Sequence, residues 1–215
     1  EQMRSHWAAA YWDFCPCLKK LGWYDRYLVS GKVTRDELMR LALTKAGIDD
    51  PALAVRLGDA YGAARDRNLR LFPEALHVLE TLSAKVPLGL VTNGSADVQR
   101  QEIATCGIER FLGPDRIFIE GEQREGKPLR SVFERARASV ALPAEEILFV
   151  GNSYGHDIAP AIEFGMRTYW VRRASDVPPA RMNEDDARPE ERPENGPAPT
   201  FEYDTLRPLL QLAYA

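Results

Sequence analysis

Ile147-Leu148-Phe149-Val150-Gly151-Asn152-Ser153-Tyr154-Gly155-His156-Asp157-Ile158-Ala159-Pro160-Ala161-Ile162-Glu163-Phe164-Gly165-Met166 is the stretch that decides the fold. Its first four residues are apolar and read as a short buried strand. Gly151 then permits a sharp turn, and Asn152, Ser153 and Asp157 crowd the loop that follows. Apolar residues resume at helical spacing at Ile158, Ala161, Ile162 and Met166, and Gly165 ends the run. A strand that opens into a carboxylate-bearing loop before a helix is where an open α/β sheet places its chemistry. The same pattern also describes an ordinary strand, polar turn and helix, so this stretch alone leaves both readings open.

Working outward, the segment from Leu71 to Val171 alternates strand and helix, which predicts a parallel sheet with helices on its faces. A helix from Pro73 through Leu82 precedes a strand at Leu88–Val91, and Thr92-Asn93-Gly94-Ser95 forms the polar loop at its end. Ser95 caps a helix that Gly107 terminates. A strand at Arg116–Ile119, a polar loop at Glu120–Gly126, a helix at Pro128–Val140 and a strand at Thr168–Val171 complete the alternation. Toward the amino terminus, residues 5–68 read as helices. One runs from a Ser5 cap to Leu21 and stops at Gly22. A second starts at Thr34, where Thr-Arg-Asp-Glu forms a capping box with Glu37. A third has Pro51 in its first turn. Toward the carboxyl terminus, residues 174–200 read as a solvated, inert loop rich in Pro, Arg and acids, and 201–215 as an apolar helix. The expected organisation is a small helical domain at 1–70 and an α/β domain at 71–215.

Composition limits the partners. The 215 residues are 45% hydrophobic and 28% charged with a net charge of −4, and no basic tract is present. That argues against nucleic acid, and the absence of a long apolar run argues against a membrane. Three cysteines give no disulfide framework, which places the chain in a reducing cytoplasm. Cys15-Pro16-Cys17 lacks the further ligands a metal site needs. The aromatic segment Trp7 to Tyr24 reads as packing or an exposed dimer face, and the oligomeric state, monomer or homodimer, stays open.

Three polar clusters follow strand ends and therefore share one sheet edge. Thr92, Asn93 and Gly94, with helix N–H groups nearby, compose an anion cradle. Lys127, one of only six lysines among 28 basic residues, is read at a helix start, where the macrodipole disfavours a cation by up to about 1 kcal/mol. An anion between lysine and dipole would remove that conflict. Asn152 and Asp157 supply oxygens that suit Mg2+. His156 reads as a surface residue.

Val91-Thr92-Asn93-Gly94-Ser95, then Gly126-Lys127-Pro128, then Phe149 to Met166 resemble, in order and spacing, the haloacid dehalogenase-like hydrolase superfamily. The resemblance implies a Rossmann-like α/β core with an α-helical cap, the cap at 1–70. It also implies hydrolysis of a small phosphorylated metabolite with Mg2+. In that family a strand-borne aspartate attacks phosphorus and a second aspartate two residues on acts as acid and base. The resemblance assigns phosphoryl binding to Thr92, charge stabilisation to Lys127 and the metal to Asn152 and Asp157. Two features depart from the pattern. No Asp-x-Asp follows an apolar strand, since Asp13 has neither the strand nor the second aspartate, and Asn152 stands where aspartate is frequent. The expectation is that the nucleophile strand is encoded ahead of Glu1. A non-catalytic phosphate-binding relative and a metal-independent 2-haloacid dehalogenase are the alternatives.

Overall fold

In a computed structural model of the protein, residues 2–176 and 190–212 are described. The charged run Glu184-Asp185-Asp186 and the last residues of the expected tail helix lie outside them.

Helices dominate up to residue 68: α1 (Gln2–Phe14), α2 (Tyr24–Val29), α3 (Gly31–Lys45) and α4 (Pro51–Asn68). α3 packs against both α1 and α4. Ala10, Phe14, Leu18, Leu38 and Ala42 form a buried cluster between α1 and α3, and Trp23 closes it edge-on against Phe14. Several expected boundaries move. α1 starts ahead of Ser5 and stops at Phe14, because Pro16, lacking an N–H, falls in the 3-10 turn Cys15–Cys17 that follows. Gly22, at φ 71, reverses the chain into α2, a six-residue helix that sequence spacing does not reveal. α3 begins at Gly31, so Thr34 is not its cap. The Thr34 hydroxyl donates to the Ser30 carbonyl and Glu37 pairs with Arg40, so the expected capping box does not form. The Gly31 N–H is satisfied instead by the Asp97 carboxylate at 2.9 Å, a side chain 66 residues away. α4 follows expectation: Pro51 opens it, and Asp50 accepts from the Leu53 N–H at 2.8 Å.

The remainder alternates: α5 (Ala75–Ser83), β1 (Leu90–Thr92), α6 (Ala96–Cys106), β2 (Ile117–Ile119), α7 (Glu120–Gln123), α8 (Arg130–Val140), β3 (Leu148–Gly151), α9 (Ala159–Phe164), β4 (Arg167–Val171), β5 (Phe201–Tyr203) and α10 (Leu209–Leu212). Each pairing among the described residues is parallel, as the βα alternation predicts. Among the described residues the strands form two sheets, β1 with β2 and β3-β4-β5 in that order. The two sheets share a buried cluster: Val91 of β1 and Phe149 of β3 both pack on the group built from Val132, Phe133, Ala161 and Met166. β4 is the most deeply buried strand, with Thr168 to Val171 all inside.

The carboxyl-terminal expectation is corrected. Residues 201–203 are a strand paired to β4, and among the described residues the helix covers Leu209–Leu212. Phe201, Glu202 and Tyr203 alternate apolar, polar, apolar in sequence, a period-two pattern too short to outweigh the leucines that follow. The expected polar loop after β2 starts with the one-turn helix α7, which ends at Arg124 in the left-handed region at φ 60.

Candidate functional site

The loops after β1, β2 and β3 meet. Asn93 and Lys127 exchange two hydrogen bonds: the Asn93 amide donates to the Lys127 carbonyl at 2.7 Å, and the Lys127 N–H donates to Asn93 Oδ1 at 2.8 Å. This reciprocal pair fixes the Lys127 backbone against the end of β1. The Lys127 ammonium then donates to Asp157 Oδ1 at 2.6 Å, with the two side chains only 14% and 5% exposed. The second Asp157 oxygen accepts from the Ser153 N–H at 3.0 Å. One chain of contacts therefore joins three loops that are 30 to 34 residues apart in sequence.

Local structure explains how Asp157 reaches this position. It lies in a turn of π-helix, Tyr154–Ile158, a winding often found where a helix serves a site. A Cβ at Gly151 would collide with the Asp157 side chain, so glycine is required where β3 ends. Glu190, expected to belong to an inert solvated loop, instead docks here. Its carboxylate accepts from the Tyr154 and Gly155 N–H groups, both at 2.9 Å, and from the Ser153 hydroxyl at 3.0 Å.

The expected anion cradle is internally satisfied. Thr92 turns its hydroxyl to Gln99 Oε1 at 2.6 Å, and the Gly94 N–H donates to Glu120 Oε2 at 3.0 Å. Glu120 also accepts from Tyr24 at 2.8 Å and Tyr27 at 3.2 Å, both on α2. Burial, and beyond it the Glu120 carboxylate, pushes both tyrosines above their ordinary range, so they remain donors. Lys127 is not in the first turn of a helix, because α8 begins at Arg130. The anion it faces is the Asp157 carboxylate rather than a partner of the helix dipole. Asn152 is exposed on the rim, where its carbonyl accepts from the Trp170 indole at 3.0 Å. His156 is exposed, as expected, beside Ser153.

The donors present limit what metal the site can hold. Asp157 is the carboxylate of the group and both its oxygens are engaged, while Asn152 offers a neutral amide. Among the described residues no three His, Cys, Asp or Glu side chains gather closely enough to hold an ion. These donors by themselves do not fit Mg2+, which takes six oxygens in a near-octahedral set. Cys15 and Cys17 do not change that, since magnesium takes oxygen rather than thiolate ligands. A hollow of about 550 Å³ lies elsewhere, on α8 against Phe164, lined by Arg130, Arg135 and Arg137. Among the described residues no helix is long and apolar enough to cross a membrane.

Sequence reasoning missed Gln99, Glu120, Glu190 and the α2 tyrosines. Glu120 carried a usable signal, because it is the first residue past the carboxyl end of β2, the position that singled out the other loops.

Comparison with known proteins bears on the arrangement. The family described as haloacid dehalogenase-like hydrolase matches residues 33–171. The chain is 29% identical over 136 residues to N-acylneuraminate-9-phosphatase of Rattus norvegicus, covering 63% of this chain and 54% of that protein. It is 33% identical over 140 residues to phosphoserine phosphatase of Thermus thermophilus, covering 65% and 55%. The chain thus spans about half the length of these relatives. Among solved structures, the HAD-hydrolase YfnB of Bacillus subtilis bound to magnesium superposes with a TM-score of 0.69. At 19% identity, that match covers 100% of this chain and 84% of the other.

Proposed function

The chain belongs to the haloacid dehalogenase-like hydrolase family, and from that premise we propose that the protein hydrolyses phosphomonoesters of small metabolites through an aspartyl-phosphate. The observation that carries the reading is the Asn93–Lys127–Asp157 linkage. It holds one buried ammonium at the convergence of three strand ends, where a transferring phosphoryl group needs charge stabilisation. Lys127 neutralises that charge, and Asn93 fixes the lysine's backbone. Thr92, released from Gln99, and the Asn93 backbone, joined by the Gly94 N–H once Glu120 lets it go, bind the phosphoryl oxygens. Helices α1 to α4 act as a cap that covers the site and selects the leaving group.

Asp157 is held by Lys127 and Ser153 and is not free to attack phosphorus. The nucleophile in this reading is an aspartate on a strand lying between β1 and β3. Those strands have, among the described residues, no partner on one side each, yet they pack on one shared cluster. The aspartate oxygen bonds to phosphorus as the ester oxygen leaves, taking a proton from a second aspartate on the same strand. Water, giving a proton back to that group, then cleaves the acyl phosphate. Magnesium would join Asp157 only with a further carboxylate from that strand, and its contribution there is charge neutralisation.

The deciding experiment presents the whole protein with a panel of small phosphomonoesters, with and without Mg2+. Phosphate release that Lys127→Ala abolishes is the expected result. Chloride release from a 2-haloacid without metal would assign the dehalogenase reaction instead. Stabilisation by phosphate with no turnover would assign a binding protein.

A further inference from the structure

We infer that Glu120 is a positioning residue that couples the seat of helix α2 to the backbone of the Gly94 loop. The inference rests on reading α1 to α4 as a cap and 92–94 as the phosphoryl-binding loop. The Glu120 carboxylate lies between two elements that otherwise belong to different layers. On one side it accepts from Tyr24 at 2.8 Å and Tyr27 at 3.2 Å, residues 96 and 93 positions away. On the other it accepts from the Gly94 N–H at 3.0 Å.

The surroundings leave the carboxylate little freedom. A Cβ at Gly126 would stand 2.8 Å from Glu120 Cδ and 2.7 Å from Asn93 Oδ1, so the turn carrying Lys127 presses on it. A Cβ at Gly121 would run into the backbone of Leu28 and of Ala96, so α2, α7 and the start of α6 cross at one point. The Gly121 N–H also donates to the Gly94 carbonyl at 2.9 Å. Both polar groups of the Gly94 backbone are thus held from Glu120-Gly121. Three neutral donors satisfy the carboxylate without neutralising it, and a shift of α2 removes two of them together. Glu120 then rotates, and the Gly94 amide turns with it.

The test is amide hydrogen exchange on the whole protein, read separately for residues 24–29 and for the Gly94 loop. Replacing both tyrosines (Tyr24→Phe with Tyr27→Phe) leaves both partners of the Glu120–Gly94 contact in place. Exchange at the Gly94 loop is nevertheless expected to rise about fivefold, the factor corresponding to one hydrogen bond of ordinary net strength. Glu120→Ala is expected to raise exchange in both segments, and adding the two tyrosine changes to it should raise the Gly94 loop no further. Glu120→Gln, whose amide can accept from Gly94 and exchange a bond with a tyrosine, should restore most of the protection. An unchanged Gly94 loop in the tyrosine variant overturns the inference, whether or not 24–29 responds. So does a further rise at that loop in the Glu120→Ala background, since coupling would then bypass Glu120. No turnover enters these readouts, so a failure of the proposed hydrolysis leaves a distinct result.

Discussion

Lys127 and Asp157 show what a single pair of side chains does here. With exposures of 14% and 5%, neither charge is solvated, and each makes the other tolerable. Removing one partner strands the other, at a cost of about 3 kcal/mol. Lys127→Met should therefore lower the free energy of unfolding in urea by about 3 kcal/mol, and Asp157→Asn added to it should recover much of the loss. Full additivity of the two changes would count against a coupled pair. Gly151 permits the close approach behind them. Gly151→Ala would press a Cβ on Asp157 and should destabilise by about 1–3 kcal/mol. Gly155→Ala is the control, because its Cβ meets nothing nearer than Glu190 Oε1 at 3.4 Å. At this scale, position after a strand end made Asn93, Lys127 and Asp157 legible in the sequence. It did not say which of Glu120, Glu122 and Glu125 turns inward, because that choice is made by tyrosines more than 90 residues earlier.

Element boundaries follow the same division between local and distant causes. α4 was legible because Asp50 and Pro51 lie next to the turn they cap. The start of α3 was not. A well-formed capping sequence at Thr34 is overridden because Asp97, at the start of α6, already holds the Gly31 N–H, and Gly31 packs closely against Val98 and Ser95. This reverses the usual expectation for mutations. Asp97→Ala should cost about 1 kcal/mol, as loss of an N-cap does. Glu37→Ala, which removes only a contact with the exposed Arg40, should cost less than about 0.5 kcal/mol. Thermal or urea unfolding of the two variants decides the matter, and equal losses would return the cap to Thr34 and Glu37. The helix after β2 was hidden for a related reason: a single turn ending at Arg124 has too few residues to show a period.

For the whole molecule, the alternation of strands and helices announced a parallel α/β fold, while the arrangement of strands into two sheets had no local signal. Nor did the attachment of the carboxyl-terminal segment, in which Glu74 takes part. Its Oε1 accepts from Arg173 at 3.0 Å and from the Thr205 hydroxyl at 3.1 Å, residues 99 and 131 positions away. The hydrogen bond from its own amide, then the Arg173 guanidinium, the Leu206 N–H and Thr205, hold its carboxyl down to about 2 against the opposing effect of burial. The folded form thus binds this proton more weakly than the unfolded chain, whose carboxyl titrates in the ordinary range near 4.3. The resulting stability is fully present above that ordinary range and is lost as pH falls from there through about 2. Glu74→Gln keeps the shape and removes the charge. Its unfolding midpoint should fall clearly below that of the parent at pH 7, and the gap should narrow steadily between about pH 4.3 and the lowest pH at which both variants remain folded. A gap that stays constant with pH would mean that packing, rather than ionisation, fastens residues 201–212 to the sheet. The βα units would then hold the carboxyl-terminal strand by β4 pairing, the Tyr169 cluster and the hydrogen bonds of Thr168 and Tyr169 to Thr200 and Thr205.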